Sequence, residues 1–145
     1  MREKGIDFTL RENYYSISGK DVIRGMHFQT PPAQHAKIVF CPVGEILDVV
    51  LDLRKNSPTF GQHFSQILSA ENHLALYIPE GCAHGFRALT EGAMTFYLVS
   101  SVHNPAHDKG IRWDSFGFDW GAEAPVMSER DGSFPQMQDY DSPFW

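Results

Sequence analysis

Glu45-Ile46-Leu47-Asp48-Val49-Val50-Leu51-Asp52-Leu53-Arg54 is the stretch that decides the fold class. Its pattern has a period of two. Leu47, Val49, Leu51 and Leu53 share one face of an extended strand, and Ile46, Asp48, Val50 and Asp52 share the other. The first face is a core face. The second mixes two carboxylates with two aliphatics, which suits either a pocket lining or an edge strand with half-exposed aspartates. Outward from this stretch, β-branched and aromatic segments recur at 22–29, 37–42, 61–69, 74–79, 84–89 and 93–101, with Gly and Pro between them. No segment of twelve or more residues carries a 3.6-residue period. Short strands at such spacing predict an all-β sandwich or barrel.

Three further expectations complete the fold reading. Residues 1–12 are an edge strand or a loose arm. Ser69-Ala70-Glu71-Asn72 is a short helical turn capped by Ser69. The chain from Asn104 onward is loops and turns, packed on the barrel by Trp113, Phe116, Phe118 and Trp120. There is no internal repeat and no low-complexity linker, so residues 1–145 read as a single domain.

Composition narrows the function class. A formal charge of −6 argues against nucleic acid as the partner, which needs a basic face, but allows a small anionic ligand in a locally positive pocket. Cys41 and Cys82 form no CxxC pair and sit among apolar residues, as buried free thiols in a reducing compartment do. No apolar run approaches the ~20 residues that span a bilayer. The start, Met1-Arg2-Glu3-Lys4-Gly5, has no apolar signal region, and the expectation is a cytoplasmic protein without membrane contact.

The chemistry concentrates in Ile23-Arg24-Gly25-Met26-His27-Phe28-Gln29, followed by Thr30-Pro31-Pro32 and Lys37. A histidine can take a proton near neutral pH. An aspartate on its other ring nitrogen would fix the tautomer. A nearby lysine would stabilise a developing oxyanion. That trio suits proton abstraction beside a carbonyl; taken alone, His27 reads first as a satisfied core histidine. Arg24 and His27 are three apart and fall on opposite faces of an ideal strand, unless Gly25 hosts a bulge that re-aims one of them. Seven histidines invite a metal reading, but no H-x-H occurs, and the nearest pair, His103 and His107, lies in a loop-like segment. No trio of ligands stands out, so neither metal nor cofactor is expected.

Several motifs together are specific. Ser16-x-Ser18-x-Lys20-x-Val22-x-Arg24-Gly25-Met26-His27-Phe28-Gln29 resembles the dTDP-4-dehydrorhamnose 3,5-epimerase family. So do Lys37, the stretch from Gly44 to Arg54 with Ser57-Pro58-Thr59-Phe60-Gly61, and Ile78-Pro79-Glu80-Gly81-Cys82-Ala83-His84-Gly85-Phe86. Gly110-Ile111-Arg112-Trp113 and Ser128-Glu129-Arg130-Asp131 complete a colinear set over about residues 15–135.

The resemblance implies a metal-free, cupin-type jelly-roll barrel with short helical turns. It implies a homodimer that epimerises a nucleoside-diphosphate 4-keto-6-deoxy sugar in deoxysugar or surface polysaccharide biosynthesis. Protons on C3 and C5 are acidic because each flanks the C4 ketone. By the same resemblance His27 is the base, Asp131 its partner, Lys37 the neighbour of the enolate oxygen and Arg24 a diphosphate contact. Asp52 and His84 line the pocket, and Ser18, Gln29 and Arg112 are further substrate contacts. The family's Y-x-P tyrosine, an acid, is here His103 of His103-Asn104-Pro105, which becomes the candidate acid. Tyr14 stands where an asparagine usually precedes Ser16. Two rival functions share the architecture: a 3,4-ketoisomerase and a non-catalytic sugar-nucleotide binding module.

Overall fold

The computed structural model describes residues 5–145. Nine strands follow one another: β1 (Glu12–Ser18), β2 (Ile23–Gln29), β3 (Lys37–Val43), β4 (Glu45–Asp52), β5 (His63–Ser69), β6 (Ala75–Ile78), β7 (Cys82–Ala88), β8 (Ala93–Val99) and β9 (Asp108–Gly110). They form a four-stranded sheet in the order β1-β8-β3-β6 and a five-stranded sheet in the order β5-β4-β7-β2-β9. All their pairings are antiparallel. This is the expected all-β jelly roll of cupin type. One turn of helix, α1 (Glu129–Gly132), and a 3₁₀ turn over Met137–Asp139 are the helical pieces among the described residues. None is long and apolar enough to cross a membrane.

β4 is an interior strand, paired to β5 on one side and β7 on the other. The edge-strand alternative for its two aspartates is thereby excluded, and Asp48 and Asp52 are both buried. Its two faces serve two different apolar layers. Ile46 joins Val39, Cys41, Leu68, Phe86 and Val99 between the sheets. Val49, Leu51 and Leu53 join Ile23, Met26, Phe28, Ile111, Trp120 and Phe144 under the C-terminal segment. The chain after β9 is therefore a second cover for the five-stranded sheet. Trp113, Phe116 and Phe118 pack against that layer, as expected from sequence. Cys41 and Cys82 are buried and unpaired by any disulfide.

Two local expectations change. Ser69 and Asn72 do exchange hydrogen bonds, Asn72 N–H to Ser69 Oγ and Ser69 N–H to Asn72 Oδ1. The exchange closes a turn rather than a helix, and His73 in the left-handed region (φ 55°) turns the chain out of it. β1 lies where sequence gave no strand. Of the residue 1–12 reading, 1–4 lie outside the described residues, 6–11 are irregular, and pairing to β8 begins at Glu12.

Candidate active site

The site forms where β2 breaks its own register. The pairing of β2 with β7 shifts between Arg24 and His27. Two residues that an ideal strand would point apart now line the same cavity between the sheets. Glycine permits the break. A Cβ on Gly25 (φ 131°) would lie 2.5 Å from Gly85 Cα, and one on Gly85 would lie 2.7 Å from Arg24 O. The two backbones touch where side chains would hold them apart.

His27 Nε2 lies 2.7 Å from Asp131 Oδ1. Asp131 is held in turn. Its Oδ2 accepts from Gly25 N–H (3.1 Å), and its own N–H donates to Ser128 Oγ, the cap of α1 (3.1 Å). The Ser128-Glu129-Arg130-Asp131 motif thus works as a cap that presents one carboxylate. Burial alone would raise the Asp131 carboxyl. The hydrogen bond and charge of His27, the Gly25 N–H and the charge of Arg130 outweigh it and hold the group below the usual carboxylate range. A charged Asp131 accepts a hydrogen bond from Nε2–H and leaves Nδ1 of His27 as the nitrogen free to take a proton. Phe134 meets the imidazole edge-on, with centroids 5.6 Å apart, and fixes its plane.

A second pair lies one strand away. His84, opposite His27 in the β2–β7 register, places Nε2 2.7 Å from Asp48 Oδ1, and both residues are buried. Burial lowers the His84 pKa, with Asp48 opposing. Lys37 is 4% exposed. Burial brings its ammonium down from 10.5 to about 8, against the charges of Asp48 and Asp108. His35 is pushed down to about 3, by burial first and then by Lys37. It is a neutral imidazole, and neither ring nitrogen has a hydrogen-bond partner among the described residues.

The cavity has a volume of about 220 Å³. The five-stranded sheet contributes Arg24, His27, Gln29 and His84, and the four-stranded sheet contributes Tyr14, Ser16, Lys37 and Tyr97. Two cations, Arg24 and Lys37, stand in the lining with one carboxylate, Asp108, and offer a small anion its partners on an acidic protein. Among the described residues no three His, Cys, Asp or Glu side chains converge as metal ligands do.

Three residues expected here stand elsewhere. Asp52 lies beyond the cavity's lining, at the end of β4, and closes the following turn. Its carboxylate accepts from Arg54 N–H and guanidinium (each 2.9 Å) and from the Ser57 and Thr59 hydroxyls (each 2.6 Å). Arg112 pairs with Asp114 at 2.6 Å, outside the lining. His103 is exposed and off the cavity, on a loop tied by its backbone N–H to Glu12 Oε2 at 2.8 Å. Ser18 acts at one remove, buried and accepting from Arg24 Nε at 3.0 Å. Conversely Asp48, Tyr14, His35 and Tyr97 were not singled out as site residues by sequence. Asp48 carried a signal as the other carboxylate on the mixed face of β4, and Tyr14 as a departure from the family's asparagine.

The matching family model is dTDP-4-dehydrorhamnose 3,5-epimerase, over residues 1–139. The chain belongs to that family. The enzyme of that name from Salmonella typhimurium is 41% identical over 136 residues, 92% of this chain and 74% of that one. The one from Shigella flexneri is 39% identical over 132 residues, 90% and 73%. Among solved structures, the Bacillus anthracis dTDP-4-dehydrorhamnose 3,5-epimerase with TDP and pyrophosphate bound superposes with a TM-score of 0.92 at 35% identity, covering 94% of this chain and 79% of that one. The Legionella pneumophila 3,5-epimerase in complex with dTDP-4-keto-L-rhamnose gives 0.94 at 32% identity, covering 99% and 79%. A 3′-monoepimerase from Streptomyces bikiniensis in complex with dTDP-quinovose gives 0.88 at 32%, covering 94% and 71%. Structural neighbours of this chain thus include proteins named for inversion at two positions and at one.

Proposed function

We propose that this chain epimerises a nucleoside-diphosphate 4-keto-6-deoxy sugar by proton transfer at C3, C5 or both. The reading rests on the His27–Asp131 pair at a cavity that also holds a buried lysine. His27 Nδ1 takes the proton beside the ketone. Asp131 stabilises the imidazolium that forms, and Lys37 bears on the enolate oxygen. Arg24, braced by Ser18, takes the diphosphate. Gln29 and His84 line the sugar site.

The binding-module alternative needs none of this proton chemistry, and a ketoisomerase would deliver a 3-keto product. One experiment separates all three. A dTDP-4-keto-6-deoxy sugar incubated with the enzyme in D2O gains deuterium at C3 or C5 and yields an inverted 4-keto sugar. A 3-keto product, or saturable binding with no exchange, would replace the reading.

The active form is a homodimer. The outer face of β1, β8 and β3 carries Tyr15 and Ile17, each more than half exposed, beside Phe96, which stacks on Phe40 at 5.2 Å between centroids. A second copy covering this apolar row is what light scattering at micromolar concentration is expected to register. The compartment is the cytoplasm, where two unpaired cysteines stay reduced.

A further inference from the structure

Inversion needs more than a base. The proton that leaves one face of the sugar must be replaced on the other, so a donor has to stand across the cavity from His27. His27 comes from the five-stranded sheet. The groups facing it from the four-stranded sheet that carry an exchangeable proton are Tyr14, Ser16, Lys37 and Tyr97. Lys37 is committed to the enolate oxygen, and a serine hydroxyl is too weak an acid. Tyr97 is 7% exposed, packed edge-on against His84 and covered on one face by the Tyr14 ring. Tyr14 differs. It pairs with Tyr97 across β1 and β8, and its ring stacks on Tyr97 at 4.6 Å between centroids, 19° from parallel. The stack fixes the ring. The residue is 40% exposed, against 7% for Tyr97, and so stands at the open side of the cavity.

We propose that Tyr14 is the acid that returns a proton to the face of the sugar opposite His27. The assignment rests on the epimerase reading above. In the step, the C–H bond breaks toward His27 Nδ1 and its electron pair enters the enolate. The enolate pair then forms the new C–H bond with the Tyr14 proton, whose O–H pair stays on oxygen. The enzyme is left as imidazolium and phenolate. His27 loses a proton to water and Tyr14 gains one, which resets both. Burial, followed by the charges of Asp108 and Glu12, pushes the Tyr14 hydroxyl up to about 12, so the donor is protonated before each turnover.

The test follows a dTDP-4-keto-6-deoxy sugar in D2O and reads two signals: deuterium entering substrate of unchanged configuration, and inverted product. Tyr14→Phe is expected to lose inversion by a hundredfold or more while exchange stays within about threefold. Its dTDP affinity and melting temperature are measured alongside. Fluorotyrosine placed at position 14 keeps the shape and acidifies the hydroxyl. It keeps a proton to donate and is expected to restore inversion at pH 7 to at least tenfold above Tyr14→Phe, with exchange unchanged. Inversion at the parent rate in Tyr14→Phe, equal loss of exchange and inversion, or inversion no faster with fluorotyrosine than with Tyr14→Phe would each overturn the proposal. So would inversion lost in His103→Ala and kept in Tyr14→Phe. Parent enzyme that neither exchanges nor inverts would overturn the epimerase reading itself, a failure visible before any variant is made.

Discussion

His27 and Asp131 are 104 positions apart in sequence and 2.7 Å apart in space. The contact ties the broken strand β2 to the one-turn helix α1, and Gly25 N–H on the same carboxylate locks the bulge that aims His27. Asp131→Asn removes the charge that stabilises the imidazolium and admits the wrong tautomer. The expected loss in kcat is about a hundredfold or more, with KM changed little. Steady-state kinetics of the variant check this.

Lys37 sets the alkaline side of the pH profile. Its ammonium holds a proton only to about pH 8 in the fold, against 10.5 in the unfolded chain. Activity should therefore fall as pH rises through 8. Stability should move the other way. Between pH 8 and 10.5 the unfolded chain binds the additional proton, so unfolding free energy rises with pH in that window. Lys37→Met removes a buried charge that costs on the order of 3 kcal/mol at neutral pH. That variant should melt higher at pH 7, lose the window's slope, and lose activity by about a hundredfold. Calorimetry and kinetics on the same samples read all three.

Arg24 carries a binding role. It is exposed at the cavity rim and touches Ser18 rather than the dyad. Arg24→Ala should raise KM roughly tenfold and weaken dTDP binding to match, with kcat much less affected. Titration with dTDP separates the two effects.

Asp52 should behave as a structural residue. Burial would raise its carboxyl, and the hydrogen bonds from Arg54, Ser57 and Thr59 overturn that and hold it well below the usual range. Asp52→Ala leaves those donors without their acceptor, at a cost of about 2 kcal/mol. The melting temperature should drop by several degrees at pH 7, while kcat/KM below the melt stays within about twofold. Since the carboxyl is depressed in the fold, the stability it contributes is present at neutral pH and lost as pH falls through that depressed range.

The strands with ordinary patterning were legible in sequence. β4 alternates cleanly, and β2, β3, β7 and β8 are apolar enough to stand out between Gly and Pro. β1 was not, for a physical reason. Its inward face is Glu12, Tyr14, Ser16 and Ser18, polar because it lines a cavity, while Tyr15 and Ile17 point outward. The pattern is the inverse of a half-buried strand, so Tyr14 stood out only as a departure from the family's asparagine and not as a cavity residue. The choice between Asp48 and Asp52 was also closed to sequence. Both lie on one face of β4, His84 pairs with Val50 midway between them, and only its hydrogen bond to Asp48 shows which one the cavity uses. The bulge at Gly25 was readable because Arg24 and His27 conflict on any regular strand.

The most direct measurement is proton exchange at C3 and C5 of dTDP-4-keto-6-deoxyglucose in D2O, followed by NMR for the parent enzyme and for His27→Ala. The account predicts deuterium at one or both carbons with the parent enzyme, and at least a thousandfold slower exchange in a His27→Ala variant that still binds dTDP. Exchange at the parent rate in His27→Ala would contradict it.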